Sequence, residues 1–427
     1  MRSYQSIPRP TNRSAILIVL LMLALATPLL ASAKYKVLYS FKGGNDGIVP
    51  LGNLVFDKQG NLYGTTQQGG GADACRGSHT GCGIVFQLSP HSGKWSESVL
   101  YSFQNGASEG VGLNGHLMLD AAGDVYGTAF YGGAYFTGIV FELMTGNSGW
   151  TESDIYTFCT HGCSDGEGPG SGVILDKSGN LYGTADEGGT DGAGVIFELT
   201  PSSGVWTESV LYNFCPYETC HGGWFPSGMI EDANGKFYGS TTWGGNFFFP
   251  CTPGDGCGVI FEFDPATKKY SVLHRFNGRE GAFPSSGLAE DKQGNFYGTT
   301  SGDGAFACGT AFRISPKAGG GWKYSTLYNF VEGASAGSLA IDSSGNLYGA
   351  ISGVMSQTCQ AQGTGEIFRL SPGSPNGHWK FSSVYKLSGQ EGAYPSSGLI
   401  FDAKGNLYGV AGLGGAHGYG VVFEFKP

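Results

Sequence analysis

"YKVLYSF", Tyr35 to Phe41, is the first ordinary stretch after an apolar leader, and its phrase returns as "SVLYSF" at Ser98–Phe103 and "SVLYNF" at Ser209–Phe214. In those later places the phrase closes a unit of the chain. Seven times the sequence carries Asp-x-x-Gly-x-[Leu/Val/Phe]-Tyr-Gly, with the tyrosine at Tyr63, Tyr126, Tyr182, Tyr238, Tyr297, Tyr348 and Tyr408. The spacings are 63, 56, 56, 59, 51 and 60 residues. That period suits a propeller or an array and is too long for most solenoids.

Each unit reads as four short strands: A as in "NLVFD" (Asn53–Asp57), B as in "NLYGTT" (Asn61–Thr66), C as in "GIVFQL" (Gly83–Leu88), and D as in the opening phrase. Beyond the leader, apolar runs are four to six residues long and no long stretch has helical spacing. After the leader come one orphan D strand, six complete A–D units, and a last A-B-C that stops at Lys426-Pro427. Tyr35–Phe41 supplies the missing D strand. The expected fold is therefore all-β, a seven-bladed β-propeller over residues 34–427 with four antiparallel strands per blade, closed by strand 35–41. Closure covers the end faces that an open array leaves bare.

The A–B joint has a chemical basis. Asp57 can accept from backbone N–H groups of the turn, and Gly60 supplies the positive φ of a short hairpin. The glycine after each repeat tyrosine, Gly64 in the first unit, costs roughly 0.5–1 kcal/mol inside a strand. Close approach of a neighbouring sheet is the expected reason for it.

Residues 1–33 read as a signal peptide: Arg2, Arg9 and Arg13, then an apolar run from Ala15 to Leu30, then Ala31-Ser32-Ala33 as the cleavage site. Without it, 21 Lys and Arg face 34 Asp and Glu, a formal charge of −13. This argues against nucleic acid as a partner and against anionic lipid. The expectation is a secreted or periplasmic monomer with no membrane span after signal cleavage.

The repeat resembles the GloVer-type tandem-repeat family of exported bacterial proteins. "DKQGNLYGTT" (Asp57–Thr66), "GCGIVFQLSP" (Gly81–Pro90) and "KWSESVLYSF" (Lys94–Phe103) carry the resemblance, with their echoes through Pro427. Unit four departs from it at "KKY" (Lys268–Tyr270) and unit six at "AISGVM" (Ala350–Met355). The resemblance implies export and no defined activity.

Ten cysteines in an exported chain point to disulfides: Cys75–Cys82, Cys159–Cys163, Cys215–Cys220, Cys251–Cys257, and a cross-blade bond between Cys308 and Cys359. "CTHGC" (Cys159, His161, Cys163) and "CPYETCH" (Cys215, Cys220, His221) also have metal-ligand character. No cofactor is expected, with calcium or zinc left open.

All ten cysteines fall in D–A or B–C loops, which share one face of a propeller. Function concentrates on loops held by a rigid scaffold. On that face lie Trp224 and Phe225 of "GGWFPSG", Trp243 and Phe247 of "TWGGNFFFP", Tyr131 and Tyr135 of "FYGGAYF", and the acids Asp186 and Glu187. Flat aromatics at a wet surface can stack on sugar rings or anchor a protein partner. Trp95, Trp150, Trp206, Trp322 and Trp379 recur before strand D and read as structural. Glu109, Glu280, Glu332 and Glu391 precede glycine at one repeat position and read as turn residues. "GASEG" (Gly106–Gly110) and "GASAG" (Gly333–Gly337) match an esterase pattern but lack the helix that a nucleophile elbow needs. The expected role is non-catalytic recognition of extracellular glycan or a cell-surface protein. The alternatives are a polysaccharide hydrolase or lyase using face carboxylates, and a structural surface protein.

Overall fold

The computed structural model describes residues 34–427 except 72–74, 76–80, 105–108, 148, 161, 216–219, 249–250, 252–254, 332–334, 353–362, 374–378 and 396. Seven four-stranded antiparallel blades stand in a ring. Blade 1 contains Val55–Phe56, Leu62–Gln68, Ile84–His91 and Lys94–Ser102 as strands A to D. Among the described residues the only helical turn is the 3-10 turn Gly44–Asp46.

The ring closes as its first strand predicts. Lys34–Ser40 pairs antiparallel with Val421–Lys426, placing Tyr35 opposite Phe425 and Val37 opposite Phe423. It is strand D of blade 7. The A–B turns are also as expected: Asp57 Oδ1 accepts from the backbone N–H groups of Gln59 at 2.9 Å and Asn61 at 2.8 Å, and Gly60 has φ 86°. Asp176, Asp232, Asp291, Asp342 and Asp402 repeat the pair of bonds.

The core is a series of clusters between neighbouring blades. In every blade but the sixth, where Leu387 stands there, the phenylalanine that ends the D phrase leaves its blade and meets the strand-C phenylalanine of the next, edge to face. Phe41 meets Phe86 at 5.2 Å, Phe103 meets Phe141 at 5.2 Å, Phe158 meets Phe197 at 5.1 Å and Phe276 meets Phe312 at 5.3 Å. Such pairs add to the stabilisation from burial alone.

The tyrosine-following glycine has a different cause from the one expected. A Cβ on Gly64 would lie 2.6 Å from the Phe86 ring, and one on Gly183 would lie 2.4 Å from the Phe197 ring. The crowding therefore comes from the strand-C aromatic of the same blade, which is the residue paired with that glycine. The close approach between blades falls instead on the glycine before strand C. Prolines of the next blade press on it: Pro169 on Gly138, Pro226 on Gly194, Pro284 on Gly258, Pro395 on Gly365 and Pro50 on Gly420, with a Cβ there 2.3–2.7 Å from the ring.

Candidate functional site

Strand A of every blade runs beside the axis, so the residue just before it sets the width of the channel. In blades 3, 4, 5 and 7 the order there is Ser-Gly: Ser171-Gly172, Ser227-Gly228, Ser286-Gly287 and Ser397-Gly398. In blades 1, 2 and 6 it is reversed, to Gly52-Asn53, Gly115-His116 and Gly337-Ser338. The swap is steric. A Cβ on Gly172 would lie 2.4 Å from the His116 carbonyl oxygen, and one on Gly398 would lie 2.2 Å from Ser338 Oγ. The glycine of one blade admits the backbone or the side chain of another.

Those three side chains form a waist. The Asn53 amide nitrogen lies 3.0 Å from Nδ1 and 3.1 Å from Nε2 of His116, and it donates to Ser338 Oγ at 3.3 Å. Asn53 Oδ1 accepts from the Gly398 N–H at 2.6 Å. Burial on the axis lowers the His116 imidazole below its usual range, yet its side chain is exposed to the channel. Asn53, His116, Ser171, Ser227, Gly287 and Ser338 line the cavities on both sides of the waist.

On the loop face the channel opens into a mouth of about 350 Å³. Phe130, Gly170, Asp186 and Phe225 line it above the waist. Gly170 is central. A Cβ there would meet the Phe130 ring at 3.1 Å and Asp186 Oδ2 at 3.4 Å, so its missing side chain leaves a notch with an aromatic ring on one side and a carboxylate on the other. Burial, with Glu187 adding to it, pushes the Asp186 carboxyl well above the usual range. Phe225 is held at φ 60° ahead of Pro226, with its N–H bonded to the Ala193 carbonyl of blade 3 at 3.1 Å.

Of the residues expected at the site, Phe225 and Asp186 line this mouth. Trp224 and Trp243 do not line it. Their rings lie 6.1 Å apart and half-buried, Trp224 Nε1 donates to the Asp255 carbonyl at 3.3 Å, and Trp243 packs on Phe283 at 4.8 Å. Phe247 packs against His221 at 5.6 Å. Tyr131 and Tyr135 are exposed on the loops of blade 2, and Glu187 is exposed with its backbone paired to Glu167. Asn53, Asn114, His116 and the serine ring escaped the sequence reading. The signal was the Ser-Gly to Gly-X reversal.

The loop acids act locally. Glu109 accepts from the Gln104 N–H at 2.7 Å, Asp165 from Tyr156 at 2.7 Å, Glu391 from Ser388 at 2.8 Å, and Glu280 pairs with His274 at 2.8 Å. Glu332 lies outside the described residues.

Four disulfides join Cys75 to Cys82, Cys159 to Cys163, Cys215 to Cys220 and Cys251 to Cys257. Cys308 is also disulfide-bonded, and Cys359 lies outside the described residues. The sulfurs near Glu167 and His221 are thus not free thiolates, while His161 lies outside the described residues. Structural disulfides fit an extracellular or periplasmic setting. No helix among the described residues is long and apolar enough to cross a membrane.

Comparison with known families finds the Gloeobacter/Verrucomicrobia repeat over residues 73–250. Over that segment the chain is similar to this repeat family. Within the matched segment, loops of blades 2 to 4 supply Phe130, Gly170, Asp186 and Phe225 to the mouth. No curated protein matches the chain. Among solved structures, the extracellular domain of a protein described as a one component system from B. thetaiotaomicron is similar with a TM-score of 0.51 and 12% identity. The match covers 91% of this chain and 40% of that one. A luciferin-regenerating enzyme matches at TM-score 0.46 and 14% identity, covering 92% of this chain and 95% of that one. These likenesses concern the propeller fold.

Proposed function

We propose that the protein is an exported, non-catalytic recognition propeller that binds extracellular glycan at the loop-face mouth of its channel. The notch at Gly170 carries this reading. A sugar ring stacked on Phe130 would place a hydroxyl toward Asp186, with Asn53, Asn114 and the serine rim offering further neutral donors and acceptors. The acidic charge of the chain suits a neutral rather than an anionic glycan.

A second reading, hydrolysis, draws on the same Asp186. A carboxyl pushed up by burial is suited to act as a general acid. A glycan-array screen of the mature protein, with and without EDTA, separates the two. Recognition predicts binding without product release, lost on Gly170→Val and on Phe130→Ala. Depolymerised product that disappears in Asp186→Asn would replace recognition by hydrolysis. Loss on Trp224→Ala and Trp243→Ala with Gly170→Val unaffected would move the site outward to the blade 4 loops. An array with no hit in any condition would favour a structural surface role.

A further inference from the structure

The channel continues past the waist. Toward the turn face lies a second cavity of about 410 Å³. Val55, Met118, Ile174, Ile230 and Ile400 line it. All five occupy the same repeat position, opposite the repeat tyrosine on strand B. At the waist end the polar groups are the Asn53 amide, serine hydroxyls and the His116 imidazole, which lies below its usual range, and none of them is a carboxylate or an ammonium. At the turn-face end stands a carboxylate. Glu231, the residue after Ile230, lines the cavity and is exposed. Asp176 and Asp232 lie close enough to repel it, with Lys177 the opposing charge.

An apolar wall with one acidic end and a polar end without carboxylates selects by charge as well as by shape. An anion is repelled at Glu231, and a neutral alkyl chain gains nothing from it. We propose that this chamber binds a small amphiphilic organic cation, its ammonium at Glu231 and its alkyl chain against Val55, Met118, Ile174, Ile230 and Ile400. The inference stands apart from glycan binding at the mouth, because the waist residues lie between the two cavities.

The test uses the mature protein and isothermal titration with hexylammonium, hexanol and hexanoate at neutral pH. Hexylammonium is expected to bind one to one, roughly fivefold tighter than hexanol, the ordinary size of one exposed ion pair. Hexanoate is expected to bind least. Butyl-, hexyl- and octylammonium should tighten by about fourfold per methylene. Glu231→Gln, an exposed position, should remove the preference for amine over alcohol. Met118→Trp should abolish binding by filling the chamber, and Ile174→Trp serves if the first variant melts below the wild type. Equal binding of the three probes, no titratable binding, or binding untouched by both tryptophan variants overturns the proposal. Loss of glycan binding in any of these variants bears on the mouth alone.

Discussion

Tyr35 stacks on Tyr385, ring centroids 4.4 Å apart and planes 1° from parallel, and its hydroxyl donates to the Glu391 carbonyl at 2.8 Å. The first described strand is therefore bound to blade 6 as well as to blade 7. Tyr35→Phe removes one hydrogen bond and should cost about 1 kcal/mol. Tyr35→Ala also loses the stacked ring and should cost about 3–5 kcal/mol. Thermal and urea unfolding measure both, and equal effects of the two variants would deny the stack its part in closure.

Gly183→Ala places a methyl group 2.4 Å from the Phe197 ring, which is fully buried. Overpacking of this kind costs about 1–3 kcal/mol. Phe197→Leu in the same chain should recover part of that loss, because it removes the atoms in conflict. A Gly183→Ala protein as stable as the wild type would show that the ring has room to move.

The junctions between blades divide into two kinds, and this gives a pH dependence. At four of them rings face each other: Tyr212 and Tyr270, His274 and Tyr324, Tyr328 and Phe381, Tyr35 and Tyr385. At the other three a glutamate takes the equivalent place. Burial, with Asp46 beside it, pushes Glu97 up to about 7. Burial, with Asp154 and Glu109, pushes Glu152 up to about 8. Burial, with Asp165, pushes Glu208 up to about 7. Between the ordinary carboxylate pKa and these values the folded state binds more protons than the unfolded one, so stability falls as pH rises. The melting temperature should decline from pH 5 to pH 8.5, and Glu97→Gln with Glu152→Gln and Glu208→Gln should flatten that decline. A melting temperature rising over this range would contradict the burial of these groups.

Thiol titration checks the cysteines. No described cysteine is free, so the unreduced protein unfolded in denaturant should react with no thiol reagent. Two reactive thiols would leave Cys308 and Cys359 unpaired with each other. Replacing Cys159 and Cys163 with serine should cost about 2 kcal/mol, the low end for disulfides, because the closed loop is short.

Much of the ring was legible in the chain because its determinants are local and repeated. The aspartate and glycine of each A–B turn act within five residues, and the phrase at Tyr35–Phe41 matches a vacancy that simple counting exposes. The axis was not legible. Asn53, His116 and Ser338 look like loop filler before a strand, and their meaning appears only when seven such positions meet at one line. Gly64 was given the wrong neighbour because sequence shows that a glycine makes room but not for which atoms. Gly170 is harder still, since its contribution to the mouth is a side chain it lacks. Trp224 and Trp243 drew notice as aromatics, yet they pack against Phe283 and the Asp255 carbonyl outside the mouth.

The pairing of Lys34–Ser40 with Val421–Lys426 joins the first and the last of the described strands. Blades 1 to 6 can assemble in the order of synthesis, each on the one before, but the seventh has only its D strand until strands A to C follow from residues 400–426. Until that moment the earliest strand has no partner, and the growing protein is an unclosed arc with two bare flanks. Wherever the chain folds, this arc must be sheltered from edge-to-edge pairing until residues 400–426 have joined it.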